Sequence, residues 1–391
     1  MNKQIEEKIL SYVQTLIDDS TQTVPAWNIT YNYEKSKRPS WNYVDGCMMK
    51  AMTDLYLATH DKKYIDFANY FNGYYVQEDG SILGYTIEEY NIDHINGAKP
   101  LFELYEVTKE PRYKLALDML RKQLNAHPRT KSSNFFHKKI YPNQIWLDGL
   151  YMCMPFYARW EKQYNNKEGY TDIFNQFKNV ATLLIDHKTG LYYHAYDESR
   201  EMFWCDKATG LSPNFWTRAM GWYAMSIVDT LEVIGDDPEW FDQLVALQIN
   251  LKELIDALLN VMDKKHKMWF QVTNKAHKSG NYLETSGSCA IAYTLMKGAR
   301  LRALPKYYHT WGKQIFDSII EHKLVFESDK LVLKDICLVA GLGGIPGRGS
   351  YKLRDGTFEY YISEPIVNND AKGVAPFLFA YAEILREQQI L

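Results

Sequence analysis

One phrase, repeated six times, constrains this chain more than any single motif: a loop with polar or aromatic residues, a small residue, then an apolar helix. It reads Tyr43-Val44-Asp45-Gly46, Asn91-Ile92-Asp93-His94, Ile145-Trp146-Leu147-Asp148-Gly149, Trp216-Thr217-Arg218-Ala219, Glu284-Thr285-Ser286-Gly287 and Asn368-Asn369-Asp370-Ala371. The repeats lie roughly 50 to 85 residues apart, which is a helical hairpin plus a variable loop. Each opens a helix with few charges on any face, predicted over 43–59, 91–107, 144–161, 217–234, 285–301 and 370–387. A helix that is apolar all round has to be buried. Gly46, Gly97, Gly149, Gly221, Gly287 and Gly373 near the helix starts allow close approach, at some loss of helix propensity.

Amphipathic helices are predicted between them, near 3–18, 62–76, 111–125, 169–186, 238–262 and 306–322. In 111–125 the residues Tyr113, Leu117, Leu120 and Leu124 share one face behind Pro111. In 238–262 the stripe is Leu244, Leu247, Leu251, Leu254, Leu258 and Met262. Length alone would allow two or three domains. The alternation of outer amphipathic and inner apolar helices instead predicts one all-α domain over 1–391, an (α/α)6 barrel of six helical hairpins. Strand-like pieces at 81–85, 134–141, 191–196, 268–272 and 331–338 sit in the outer-to-inner loops. Those loops gather at one mouth, where the functional residues belong. The inner helices turn their positive N-terminal ends toward it, which favours an anionic ligand.

Composition narrows the function. Net charge is −3, from 45 basic and 48 acidic residues, with no basic stretch, so nucleic acid is not an expected partner. Mean hydropathy is −0.40 and no apolar run approaches the ~20 residues that cross a bilayer. The start, MNKQIEEKIL, lacks the apolar core of a signal peptide, so a cytoplasmic protein, acting as a monomer without a membrane, is expected. Cys47, Cys153, Cys205, Cys289 and Cys337 are scattered, without a CxxC, and read as reduced packed thiols. The chain holds 30 Tyr, 17 Phe and 10 Trp. Tyrosine and tryptophan combine an apolar face with a polar edge, which suits a small oligosaccharide.

Asp93 and Asp148 are the candidate catalytic pair, because both begin adjacent inner helices and so face the mouth. The rival reading is that each merely caps its helix. Two carboxylates close together beside Trp146 would raise the pKa of one, as a general acid requires. His137 and Lys138 precede Asp148, and His194 lies beside Asp197; a structural histidine is the alternative for each imidazole. No HExxH, paired-His or EF-hand spacing is present, so neither a metal nor another cofactor is expected. Arg218 and Trp222 lie four apart on one helix face, and Trp146 and Trp216 add flat surfaces. Arg218 needs an anion, either a ligand or an internal carboxylate. Core packing is the plainer reading of Trp222. The run Gly341-Leu342-Gly343-Gly344-Ile345-Pro346-Gly347-Arg348-Gly349 lacks a phosphate-loop ending and reads as a flexible loop at the mouth.

Asn91-Ile92-Asp93-His94-Ile95-Asn96, Trp146-Leu147-Asp148-Gly149-Leu150-Tyr151-Met152, Trp216-Thr217-Arg218-Ala219-Met220-Gly221-Trp222, Glu284-Thr285-Ser286-Gly287-Ser288 and Asn369-Asp370-Ala371-Lys372-Gly373-Val374 together carry a resemblance over nearly the whole chain. The chain resembles glycoside hydrolase family 105, the unsaturated rhamnogalacturonyl hydrolases, with the related family 88 behind it. That resemblance implies removal of a terminal 4,5-unsaturated galacturonic acid by hydration of its C4=C5 vinyl ether. It implies Asp148 as proton donor and later base, with Asp93 holding hydroxyls and tuning it. It also implies that His137, His194, Arg218 and Trp222 bind the sugar and its carboxylate. The alternatives are an unsaturated glucuronyl hydrolase for another lyase product, an inverting glycosidase and a non-catalytic sugar-binding barrel.

Overall fold

Helices that are apolar all round can be hidden only by one another, and this chain hides them by closing them into a ring. The computed structural model describes residues 3–29, 40–343 and 353–390. Outer and inner helices alternate: outer α1 (Lys3–Asp18), inner α2 (Tyr43–Thr59), outer α3 (Lys62–Tyr75), then inner α4 (Asp93–Asn96) continued by α5 (Leu101–Thr108). Outer α6 (Pro111–Ala126), inner α7 (Leu147–Tyr164), outer α8 (Tyr170–Leu183) and inner α9 (Thr217–Ile234) follow. Outer α10 (Phe241–Asn260), inner α11 (Thr285–Arg300), outer α12 (Tyr307–Lys323), a short α13 (Phe358–Ser363) and inner α14 (Ala371–Ile390) complete the order. The inner helices pack in succession, α2 on α4, α4 on α7, α7 on α9, α9 on α11 and α11 on α14, and α14 returns onto α2. This is the (α/α)6 barrel that the repeated phrase predicts.

Burial follows the sequence pattern. In α11 every residue from Thr285 to Gly298 is buried, and in α9 every residue from Thr217 to Leu231. The outer α10 buries one stripe, including Leu244, Leu247, Leu251, Leu254 and Leu258. Side chains at the inner-helix starts satisfy free amides: Asn42 accepts from the Asp45 N–H, and Glu284 accepts from both Ser286 and Gly287. Ring closure also needs missing side chains. A Cβ on Gly46 would stand 2.7 Å from the Cα of Gly97 on the next inner segment.

The structure departs from the predicted elements in two places that matter. The helix predicted over 91–107 is broken between α4 and α5 by turns at 97–100. Pro100 has no N–H to continue the ladder and disfavours helical geometry at Lys99, so i→i−3 bonds such as Lys99 N–H to Asn96 O take over. Residues 144–146, predicted as helix, form strand β1 (Gln144–Trp146), paired antiparallel with β2 (Ala195–Asp197). The other strand-like loop pieces are partly single bridges, such as Trp216 with Val272. The rest are the short pairs β3 (Leu324–Glu327) with β4 (Lys330–Leu333), and β5 (Ile336–Cys337) with β6 (Ile366–Val367). Residues 344–349 of the glycine-rich run lie outside the described residues. All five cysteines are buried free thiols. Among the described residues no helix is long and apolar enough to cross a membrane.

Gly46→Ala would force the first two inner segments apart, and overpacking of this kind costs about 1–3 kcal/mol. Denaturant unfolding should show that loss as a lower midpoint with an unchanged slope; a midpoint equal to wild type would mean the contact relaxes freely.

Candidate active site

The crossover loops at the mouth are hydrogen-bonded to one another in turn. Ile92 N–H donates to His137 O at 3.1 Å, and Asn91 bridges to Lys138. His137 N–H donates to Gln144 O at 2.9 Å, which ties that loop to β1. β1 pairs with β2 with Trp146 opposite Ala195, and Leu147 N–H reaches His194 O at 3.1 Å. Thr217 N–H donates to Gln271 O at 3.2 Å. This ladder decides which side chains meet: Asp93 beside His137 and Lys138, and Asp148 beside His194.

Lys138 Nζ lies 2.7 Å from Asp93 Oδ2, and His137 Nε2 lies 3.5 Å from Oδ1. Asp148 has a different neighbourhood. Its Oδ2 is 3.1 Å from His194 Nε2, and neither atom has a well-aligned hydrogen-bond partner among the described residues. Neither aspartate is a helix cap. The Asp93 N–H is bonded to Asn91 Oδ1 at 3.0 Å, and among the described residues no amide of the following turn donates to Asp148. Asp197, beside His194 in sequence, accepts from the amides of Ser199, Glu201 and Met202 and serves its own loop.

The expected raised carboxyl is corrected by this geometry. Burial opposes ionisation of both aspartates, but it is outweighed at Asp93 by Lys138 and then His137, and at Asp148 by His194 and then His137. Both carboxyls are held below the ordinary value. The physical reason is that each carboxylate meets a nitrogen at close range. His137 stands between the two neighbourhoods, with Nε2 toward Asp93 and Nδ1 3.1 Å from where a Gly149 Cβ would sit. Burial pushes His137 down to about 4, against the opposing pull of Asp93, so its ring is neutral at neutral pH.

Rings hold these groups. Trp146 lies parallel to His137 at 4.6 Å and to Tyr141 at 5.4 Å, and gives its N–H to Gln144 Oε1 at 3.0 Å. Trp146 is therefore a brace for His137. Trp216 is 4.8 Å from His194 and 4.6 Å from the Arg218 guanidinium, with its N–H on Gln271. Arg218 is 2% exposed and donates to Cys337 O and to Ser286 Oγ at 3.2 Å. Among the described residues it has no carboxylate at ion-pair distance, and its Nε has no partner. The internal ion pair that was one reading of Arg218 is absent from the described residues. Trp222 lies one turn further along α9, stacked on Tyr151 at 4.8 Å inside the ring.

Sequence reasoning missed Tyr43, Tyr141 and Tyr361. Tyr43 is within electrostatic reach of Asp93, Arg218 and Asp370, and it opens the first repeated phrase, which was its signal. Tyr361 has its hydroxyl 2.8 Å from His194 Nδ1 and had no signal, since α13 follows the glycine-rich run. A cavity of 770 Å³ opens at the far end of the ring, where the inner helices finish. It holds none of these mouth residues, and most of its charges are paired: Lys297 with Asp229 and Glu232, Lys50 with Asp54, Arg159 with Glu103. Among the described residues no three His, Cys, Asp or Glu side chains gather as a metal cage.

His137 supplies a stability test. Its folded value, about 4, lies below the ~6.5 of an unfolded histidine, so the unfolded chain binds more protons between the two. Its contribution is complete above pH ~6.5 and is lost as pH falls toward about 4. His127 carries the same depression through burial. His137→Gln should therefore reduce the slope of unfolding free energy over that range while leaving the part due to His127. An unaltered slope would show that His137 takes up its proton within the fold.

The family model of Glycosyl Hydrolase Family 88 matches residues 16–388. A solved glycoside hydrolase from family 105 of C. acetobutylicum ATCC 824 is 42% identical, with a TM-score of 0.87 over 98% of this chain and 99% of that one. The unsaturated rhamnogalacturonyl hydrolase YesR of Bacillus subtilis is 25% identical over 72% of this chain and 77% of its own length. The unsaturated glucuronyl hydrolase of Bacillus sp. GL1, at 14% identity and a TM-score of 0.62 over 90% of this chain and 87% of that one, shares the fold. A family match over residues 16–388, joined to 42% identity with a family 105 hydrolase over nearly the full length of both chains, places this protein in the glycosyl hydrolase family 88 and 105 group.

Proposed function

We propose that the mouth binds a terminal 4,5-unsaturated galacturonate on a rhamnogalacturonan-derived oligosaccharide and releases it by hydrating the C4=C5 bond. The observation that carries this is the asymmetry of the two carboxylates. Asp93 is tied to Lys138, whereas Asp148 touches one imidazole and keeps Oδ2 without an aligned partner. A fixed carboxylate suits hydroxyl binding; a loosely held one suits proton transfer. Arg218, with no carboxylate at contact range among the described residues, supports binding of the uronate carboxylate. The likeness to YesR supports the rhamnogalacturonan side of the reading.

In this reading protonated Asp148 adds its proton to C4, and the ring oxygen stabilises the cation at C5. Water attacks C5 and returns a proton to Asp148. The hemiketal opens to a C5 ketone, C1 becomes an aldehyde, and the shortened chain leaves with its bridging oxygen. The free protein holds Asp148 below the ordinary carboxyl value. Binding an anionic, water-excluding sugar pushes it back up, because both desolvation and a nearby like charge disfavour the carboxylate. Asp148 thereby becomes an acid when substrate is present. Rate should fall with rising pH through the value of the complex.

Asp148→Asn keeps the shape and removes the acidic proton, and general acid catalysis is typically worth ~10²–10⁴-fold. Turnover of the unsaturated disaccharide should drop by at least that factor with binding nearly intact. In heavy water the wild-type product should carry deuterium at C4, and the saturated galacturonide should be inert. Efficient cleavage of the saturated sugar, or product without deuterium at C4, would sink the hydration mechanism. Parallel rates on ulvan- and glycosaminoglycan-type unsaturated disaccharides test the substrate assignment: faster turnover of either would overturn the rhamnogalacturonan reading.

A further inference from the structure

Asp148 leans on one imidazole, and that imidazole is held from behind. His194 is fully buried, with Trp216 at 4.8 Å and the edge of Trp146 at 5.3 Å. Its Nε2 lies 3.1 Å from Asp148 Oδ2, and its Nδ1 lies 2.8 Å from the Tyr361 hydroxyl. Tyr361 is fully buried on α13, and it is anchored there. Gln271 donates to its backbone oxygen at 3.2 Å, and Thr357 caps the short helix.

A neutral imidazole has one donor and one acceptor nitrogen, and the partner of one fixes the other. Two arrangements are open to this trio. If Nδ1 carried the proton, it would donate to Tyr361, and the Nε2 lone pair would face a carboxylate oxygen at 3.1 Å. The Tyr361 proton would then lack an acceptor among the described residues. If the hydroxyl donates to Nδ1, the proton sits on Nε2 and points toward Asp148. Only the second gives the Tyr361 proton an acceptor and turns a donor, rather than a lone pair, toward the Asp148 carboxylate. Burial, then the charge of Asp148, pushes the Tyr361 phenol well above its ordinary value, so it stays a donor throughout the working range.

We propose that Tyr361 is a positioning residue for the reaction: by donating to Nδ1 it locks His194 as the Nε2–H tautomer, which keeps a donor facing Asp148 as that group gives up its proton. This rests on the assignment of Asp148 as proton donor. Among the described residues, the other titratable or charged groups near the trio are His137 and Lys138 from the loop before β1, Arg218 across Trp216, Cys337 on β5, Asp355 before α13 and Tyr360 on α13. None of them reaches His194 Nδ1 within hydrogen-bond distance.

The test has two readouts on the full chain. Nitrogen-15 NMR of histidine-labelled protein at neutral pH, with His194 assigned by His194→Gln, should show the Nε2–H tautomer in the wild type. In Tyr361→Phe, which removes one oxygen, His194 should shift to a mixture or to Nδ1–H. On an unsaturated rhamnogalacturonan disaccharide Tyr361→Phe should lose about tenfold in kcat, the worth of one buried hydrogen bond, with KM nearly unchanged. The kcat limb governed by Asp148 should move up by about one pH unit, the equivalent of that tenfold loss. A merely structural role would leave that limb in place. The Nδ1–H tautomer in the wild type, or wild-type kcat and pH profile in a folded Tyr361→Phe, would overturn the proposal. If the variant does not fold, the wild-type spectrum still decides it. If the wild type turns over no unsaturated uronide, the functional reading fails while the tautomer is still read directly.

Discussion

Backbone amides in a crossover loop have no helix to satisfy them, and at the mouth of this barrel they are satisfied by the neighbouring crossovers. Every buried N–H and C=O needs a partner. Ile92 to His137, His137 to Gln144, β1 to β2 and Leu147 to His194 form one connected run of such bonds. Each lies within a residue or so of a side chain in the site. Asp93 and Asp148 are therefore placed by main-chain bonds between loops as much as by the helices they begin. A change that breaks a link would displace a side chain of the candidate site without touching it.

The two ends of the ring treat charge differently. At the far end Asp229 and Glu232 share Lys297, Asp54 takes Lys50 and Glu103 takes Arg159. At the mouth, buried polar atoms are left open: Asp148 Oδ2, His194 Nε2, His137 Nδ1 and Arg218 Nε lack aligned partners among the described residues. Open valences of this kind cost stability and cluster where a ligand is to supply the missing bonds. The inner helices all point their positive ends the same way, toward this mouth. Backbone and side chains at the mouth together suit an anionic ligand, while most of the charges lining the far end are held in ion pairs.

Most of the fold was legible because the pattern was strong. The outer stripe of 238–262 and the apolar inner helix of 217–234 appear as α10 and α9 within a few residues. The break at 97–100 was visible in Pro100, but the apolar run on both sides outweighed it in a periodicity argument. The site was legible in part. Asp93, Asp148, His137, His194 and Arg218 come together, since each stands in or beside a repeated phrase or a crossover leading to one. Trp222 does share a helix with Arg218, yet its ring turns to Tyr151, and periodicity alone cannot say which neighbour fills the space.

What the sequence determined by itself is the architecture and its polarity: alternating helix types dictate a closed ring, and the repeated starts dictate which end carries chemistry. Local spacing suffices for that, because amphipathicity is written along one helix at a time. The electrostatics of the site were decided only in three dimensions. Proximity of two aspartates implied mutual repulsion and a raised carboxyl. The packed structure instead puts His137 and Lys138 at Asp93 and His194 at Asp148, holding both below the ordinary value. The contact that backs His194 comes from Tyr361, separated from it by 167 positions in the chain. A pKa depends on the few ångströms around a group, and no sequence interval encodes that distance when ring closure is what brings the partners together.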